Sequence, residues 1–179
     1  MKPNIVLIGF MGTGKTAVGK RLAALLNKTF YDTDQEIEEV SGMTVSQLFN
    51  KYGEVRFRSE ENLAVARLAQ HEDVVIATGG GVVLDKRNME LLAEKGIIIC
   101  LTASPEVIYE RVRRRNNRPL LRKGDMYQTI KELLAQREDF YRCADFYIDT
   151  SDMDLQDIID RIIAFLNEYR RQEQEKENA

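Results

Sequence analysis

Short apolar runs alternate along the chain with longer stretches in which apolar residues recur every three or four positions. The runs occupy residues 4–10 (NIVLIGF), 29–32 (TFYD), 73–78 (DVVIAT), 96–102 (GIIICLT) and 145–150 (DFYIDT). Three of them are nearly unbroken and rich in Ile and Val, which is how a strand reads when both faces of its sheet are covered. Between them lie helical patterns. The first, over residues 15–26, carries Val18, Leu22, Leu25 and Leu26 on one side. Others cover residues 55–70, 86–94, 106–115, 126–142 and 155–170. Ser104-Pro105 marks a helix start, with proline in the first turn behind a capping serine. Alternating strands and helices predict an α/β fold built from crossover units, a parallel sheet with helices on both faces. No repeat or interdomain linker interrupts the pattern. The final segment, RRQEQEKENA, is too polar to pack and is expected to fray, so we read a single domain over residues 1–170 and a polar tail over 171–179.

Composition narrows the possibilities. The 179 residues are 44% hydrophobic and 31% charged, a length and balance that suit one domain with a proper core. Net charge is -3, a poor match for general nucleic-acid binding, which needs broad basic surfaces. The two cysteines, Cys100 and Cys143, are too few for a disulfide framework, and Cys100 reads as a small buried hydrophobe. This usage points to a reducing, cytoplasmic setting. The apolar start imitates a signal peptide but runs straight into glycines and Lys15, and no run is long enough to span a bilayer.

One motif carries specific chemistry. GFMGTGKT, residues 9–16, matches G-x-x-x-x-G-K-[ST] at each fixed position, after an apolar strand and before an amphipathic helix. Gly9, Gly12 and Gly14 let backbone N–H groups converge on phosphate oxygens, and the helix N-terminus adds partial positive charge. Lys15 reaches the β- and γ-phosphates, while the Thr16 hydroxyl is a ligand for Mg²⁺. The chain therefore binds a nucleoside triphosphate. What receives the γ-phosphoryl group is left open by this motif: water, a nucleotide, a protein or a small hydroxyl compound.

Four further features each admit a functional and a purely structural reading. Asp32 and Asp34 follow the second strand, where one acid can hold Mg²⁺ near Thr16 and the other can accept a hydrogen bond from an acceptor hydroxyl. Asp34 alternatively caps a helix starting at Gln35. Gly79, Gly80 and Gly81 end the third strand, suited to close approach of a ligand at the carboxyl edge of the sheet, or to a flexible turn. Arg58 either binds a ligand or forms a surface pair with Glu61 or Asn62. Arg137 has similar local options.

Taken together these residues resemble the shikimate kinase family over almost the whole chain. The family's signatures stand here as GFMGTGKT, DTD (32–34), GEVRFRSEE (53–61), GGG (79–81), RPLL (118–121) and REDFYRCAD with Arg137. The resemblance implies a P-loop three-layer α/β/α fold like the nucleoside monophosphate kinases, with five parallel strands ordered 2-3-1-4-5 and a lid near residues 112–125. It implies phosphorylation of the 3-hydroxyl of shikimate by ATP with one Mg²⁺, a step in aromatic amino-acid biosynthesis, by a protein expected to be a monomer. It assigns ATP to Gly12, Thr13, Gly14, Lys15, Thr16, Ala17, Arg111 and Arg118, with Arg111 beside the adenine. It assigns the metal to Thr16 and Asp32, and shikimate to Asp34, Arg58, Gly79, Gly80, Gly81 and Arg137. Lys15, Asp34 and Arg118 become the catalytic set. Two arginines suit a carboxylate, since planar forks bind it bidentately.

The cation-rich stretch RRRNNRPLLRKG, residues 113–124, then belongs to the lid, countering charge on the triphosphate. Arg113, Arg114 and Arg115 are consecutive, so they cannot all face one ligand and at least one is expected in solvent. Other kinases of small metabolites or nucleoside monophosphates share the fold. A GTP-dependent switch needs N-K-x-D after a later strand, and the only near match, NKTF at residues 27–30, lacks the Asp. Intact Lys15, Thr16 and Asp32 argue against a non-catalytic nucleotide-binding module.

Overall fold

A computed structural model describes residues 2–113 and 125–177. Five parallel strands, β1 (Asn4–Ile8), β2 (Thr29–Asp32), β3 (Val74–Ala77), β4 (Gly96–Thr102) and β5 (Phe146–Asp149), form one sheet ordered β2-β3-β1-β4-β5. This is the order that the resemblance implies. The helices are α1 (Lys15–Leu26), α2 (Thr33–Ser41), α3 (Val45–Leu68), α4 (Lys86–Lys95), α5 (Pro105–Val112), α6 (Met126–Arg137) and α7 (Leu155–Glu177).

The strand pattern explains the layers. Successive side chains of a strand point to opposite faces. Val6 and Ile8 of β1 join one core with Ile98 and Cys100 of β4, Leu92 of α4 and Ile108 of α5. Ile5 and Leu7 join the opposite core with Leu22 of α1 and Ile159 and Ile162 of α7. Both faces are thus covered, as the unbroken apolar runs required. Cys100 is fully buried, and burial pushes its thiol up to about 12, so it behaves as a hydrophobe. A smaller core of Ile37, Leu48, Phe57 and Ala64 ties α2 to α3.

The larger departures from the sequence expectation lie in three helices. The helix expected over 55–70 begins earlier, at Val45, behind a capping box between Thr44 and Gln47; Gly53, at φ 80°, breaks it mid-way. Residues 138–142 do not continue α6: a 3₁₀ turn over Asp139–Cys143 replaces the last helical turn and carries Tyr141 into the core. The terminal segment was expected to fray, yet α7 runs on to Glu177. Pairs along the helix, Glu168–Arg171 at 2.7 Å and Glu173–Lys176 at 3.0 Å, support a segment with no apolar face to bury.

Candidate active site

The carboxyl ends of the parallel strands deliver the site, the place where open α/β sheets bind ligands. The loop after β1 turns through Gly9, at φ 138°, and Gly12, at φ 83°. A Cβ on Gly9 would stand 2.1 Å from the Leu101 carbonyl oxygen, so only glycine fits there. Lys15 folds back across this loop, its Nζ donating to the carbonyls of Gly9 and Phe10 at 2.8 Å each. A cleft of about 700 Å³ opens beside it, a size that suits a nucleotide with a small partner. Gly12, Thr13, Gly14, Lys15, Thr16 and Ala17 all line it, with Asp32, Asp34, Gly79, Gly80 and Arg111.

Asp32 and Asp34 have separate tasks because the chain enters α2 between them. Asp32 is the N-cap: its Oδ1 accepts from the Asp34 N–H at 3.0 Å, and its Oδ2 accepts from the Thr16 hydroxyl at 2.9 Å. The cap considered for Asp34 therefore belongs to Asp32. Asp34, in the first turn of α2, is turned toward Gly79.

Gly79 and Gly81 make room for side chains of the protein itself. A Cβ at Gly79 would lie 2.7 Å from Asp34 Oδ1 and 2.9 Å from Glu61 Oε1, and one at Gly81 would lie 2.1 Å from Arg58 Nη1. Arg58 does take its local partners, Glu61 at 2.7 Å and Glu54 at 3.2 Å. The Glu61 pair is not the surface pair considered from spacing, because Glu61 is 1% exposed. Arg137, 5% exposed, donates to the Gly80 carbonyl at 3.1 Å, its guanidinium lies 5.6 Å from the centre of the Phe10 ring, and it stands against the Tyr141 hydroxyl four residues on. The structure brings Asp34, Arg58, Gly79, Gly80 and Gly81 together. Arg58 and Gly81, however, line a second hollow of about 370 Å³ rather than the main cleft, and Arg137 lines neither.

Arg111 of α5 bridges three elements. Its Nη1 donates to Thr150 Oγ1 at 3.0 Å and to the Gly12 carbonyl at 3.3 Å, and its Nη2 to the Thr150 carbonyl at 2.7 Å. Arg113 pairs with Glu110 at 2.7 Å and keeps substantial solvent contact, as expected of at least one of the three arginines. Arg114, Arg115 and Arg118, with most of the expected lid, lie outside the described residues.

Sequence reasoning missed three site residues. Glu61 had been considered only as a surface partner, although GEVRFRSEE contains it. Thr150 is buried after β5 with its hydroxyl 3.0 Å from the Thr13 carbonyl, a contact across 137 residues that no local signal announces. Tyr141, from REDFYRCAD, donates to the Gly80 carbonyl at 3.0 Å.

Burial raises the pKa of Glu61 above the ordinary glutamate range, opposed by the Arg58 charge and helped by that of Asp34. A raised carboxyl makes the folded chain hold a proton that the unfolded chain has released. Stability tied to this group is therefore greatest below the ordinary value and falls as pH rises through the raised one. Unfolding measured by denaturant at several pH values is expected to show that slope, and Glu61→Gln to flatten it. The same slope in both proteins would contradict the assignment.

The comparisons with known proteins agree with this fold. The family model for shikimate kinase matches residues 11–167. A shikimate kinase from Pelotomaculum thermopropionicum is 55% identical over 166 residues, covering 93% of this chain and 96% of the relative. One from Desulforudis audaxviator is 51% identical over 165 residues, covering 92% and 87%. The solved shikimate kinase from Acinetobacter baumannii, in complex with shikimate, superposes with a TM-score of 0.90 at 38% identity, covering 93% of this chain and 94% of that one. With its phosphate loop, acid pair and triple glycine at the edge of a 2-3-1-4-5 sheet, the chain belongs to the shikimate kinase family.

Proposed function

We propose that the enzyme transfers the γ-phosphoryl group of ATP to the 3-hydroxyl of shikimate, a step toward the aromatic amino acids. The observation that carries this is the meeting, at one sheet edge, of the phosphate loop with the Asp34–Gly79–Glu61–Arg58 cluster. The loop offers N–H donors and Lys15 to a triphosphate. The cluster offers a carboxylate to a hydroxyl and a guanidinium to an acid.

Thr16 and Asp32 are the residues that would hold Mg²⁺. A hydroxyl and one carboxylate 2.9 Å apart suit a hard cation that completes its shell with water and phosphate oxygens. Among the described residues no cluster of three or more His, Cys, Asp or Glu offers a dedicated cage, as fits a metal that arrives with its nucleotide. Bound there, Mg²⁺ would supply charge neutralisation at the β- and γ-phosphates.

The remaining work falls to the chain. Phosphoryl transfer passes through a loose transition state, so positioning and charge stabilisation dominate. Lys15 and Arg118 grip the transferring group. Asp34 orients the acceptor hydroxyl in line. Arg58 and Arg137 hold the carboxylate of shikimate, each turning from its internal partner toward the cleft. Arg111 fixes the base of the adenine side through Gly12 and Thr150, and closure of the segment 112–125 excludes water. A monomer in the cytoplasm suits an ATP-dependent reaction and two free thiols. No described helix is long and apolar enough to cross a membrane.

ADP release measured in parallel with shikimate, AMP and gluconate tests the reading. Shikimate is expected to be preferred over either by at least ~10³-fold in kcat/KM, because sites built around specific polar groups reject substrates lacking them. Comparable turnover of AMP or gluconate would replace this reading with a different kinase activity of the same fold.

A further inference from the structure

The Gly80 carbonyl accepts two buried donors. Arg137 Nη1 reaches it at 3.1 Å and the Tyr141 hydroxyl at 3.0 Å. The two donors stand four residues apart, but the 3₁₀ turn over Asp139–Cys143 is what swings Tyr141 beneath the carbonyl. Tyr141 is only 8% exposed, and burial pushes its phenol well above the ordinary range, so it remains a donor at working pH. Gly80 is itself wedged against the phosphate loop: a Cβ there would be 3.2 Å from the Met11 nitrogen. Its peptide is thus held from the loop side by packing and from the other side by this donor pair.

We propose that Tyr141 is a positioning residue for the acidic substrate: its hydroxyl keeps the Gly80 carbonyl paired and so leaves Arg137 able to turn its guanidinium to the carboxylate. This rests on the reading of Arg137 as a carboxylate ligand. The physical reason is the asymmetry of hydrogen bonds. A made bond adds little net stability, whereas an acceptor left unmade among buried groups costs more. With both donors present, Arg137 can move toward the cleft and the carbonyl keeps one partner. Without the tyrosine hydroxyl, each turn of Arg137 toward an anion strips the carbonyl of its last donor. Arg137 is then held back on Gly80, and the cost appears in binding of the acid alone. The nucleotide, which meets Gly12–Ala17 instead, is unaffected.

Steady-state kinetics of Tyr141→Phe, Arg137→Ala and the double variant test this, with shikimate and with its methyl ester as acceptors. Tyr141→Phe is expected to raise KM for shikimate about 5- to 20-fold while KM for ATP stays within about twofold. The methyl ester, which has no carboxylate, is expected to show the same KM in the parent and in Tyr141→Phe. In the Arg137→Ala background the second substitution is expected to add nothing, because the two residues act as one unit. Restoring a hydroxyl with 3-fluorotyrosine at position 141 is expected to return KM to the parental value. Tyr141→Leu, which also lacks the hydroxyl, serves as the second variant should Tyr141→Phe fold poorly, with the same pattern expected. An unchanged KM in Tyr141→Phe, equal losses for acid and ester, or a full further loss on top of Arg137→Ala overturns the proposal. If Arg137→Ala itself leaves KM for shikimate unchanged, the carboxylate reading fails instead.

Discussion

Lys15→Ala is expected to lower kcat by ~10²–10⁴-fold, the range seen when a preorganised cation is removed from a phosphoryl-transfer site. The structure says why this cation is hard to replace. Lys15 is 8% exposed, and its Nζ is held at 2.8 Å by two loop carbonyls, Gly9 and Phe10. Its charge is thus held at the cradle by the loop itself, and in the proposed reaction the interaction is strongest where negative charge spreads over the moving group. Binding of the ground state depends less on it, because the N–H groups of the loop and the N-terminus of α1 remain. The measurement is kcat at saturating ATP and shikimate, beside a melting curve showing that the variant folds. A folded Lys15→Ala enzyme within tenfold of parental kcat would remove Lys15 from the catalytic set.

Asp34→Asn is expected to be the other severe change, also ~10²–10⁴-fold in kcat, the usual worth of a positioned acid–base group. Asp34 stands in the first turn of α2, where a helix N-terminus favours negative charge. Its Oδ1 is 2.7 Å from where a Gly79 Cβ would be, so the missing side chain of Gly79 is what lets it face the cleft. Glu61 Oε1 flanks the same point at 2.9 Å. Burial and the neighbouring Asp34 push the Glu61 carboxyl up, while the Arg58 charge opposes them. The isosteric amide keeps the shape and loses the basic oxygen. If Asp34 takes the proton of the hydroxyl, the pH–rate profile of Asp34→Asn loses the acid limb of the parent. If it only orients the hydroxyl, kcat falls with the limb retained. Near-parental kcat would deny it either role.

The local features were legible because their causes are local. Apolar runs identified five strands, three of them nearly unbroken because both faces are covered, and α1 begins and ends where its pattern placed it, at Lys15 and Leu26. The phosphate loop was readable because a turn, a cradle and a helix start lie within eight consecutive residues. The capping box at Thr44 was equally local, and its T-x-x-Q spacing could have announced the early start of α3. The described residues of the polar tail are nowhere buried, as its composition implies, and helical ion pairs carry α7 on to Glu177 without a core.

What the sequence determined by itself is an α/β chain that binds a nucleoside triphosphate, together with, through its ordered signatures, the family to which it belongs. Only the tertiary structure decided that Asp32 caps α2 and meets Thr16, that Glu61 lies buried between Arg58 and Asp34, and that Tyr141 shares the Gly80 carbonyl with Arg137. The physical reason is distance along the chain. Parallel strands bring their carboxyl ends side by side only after long crossovers, so residues 57 to 137 positions apart become hydrogen-bond partners. No periodicity records such pairings, because each strand's pattern encodes which face it buries and nothing about which loop its far end will meet.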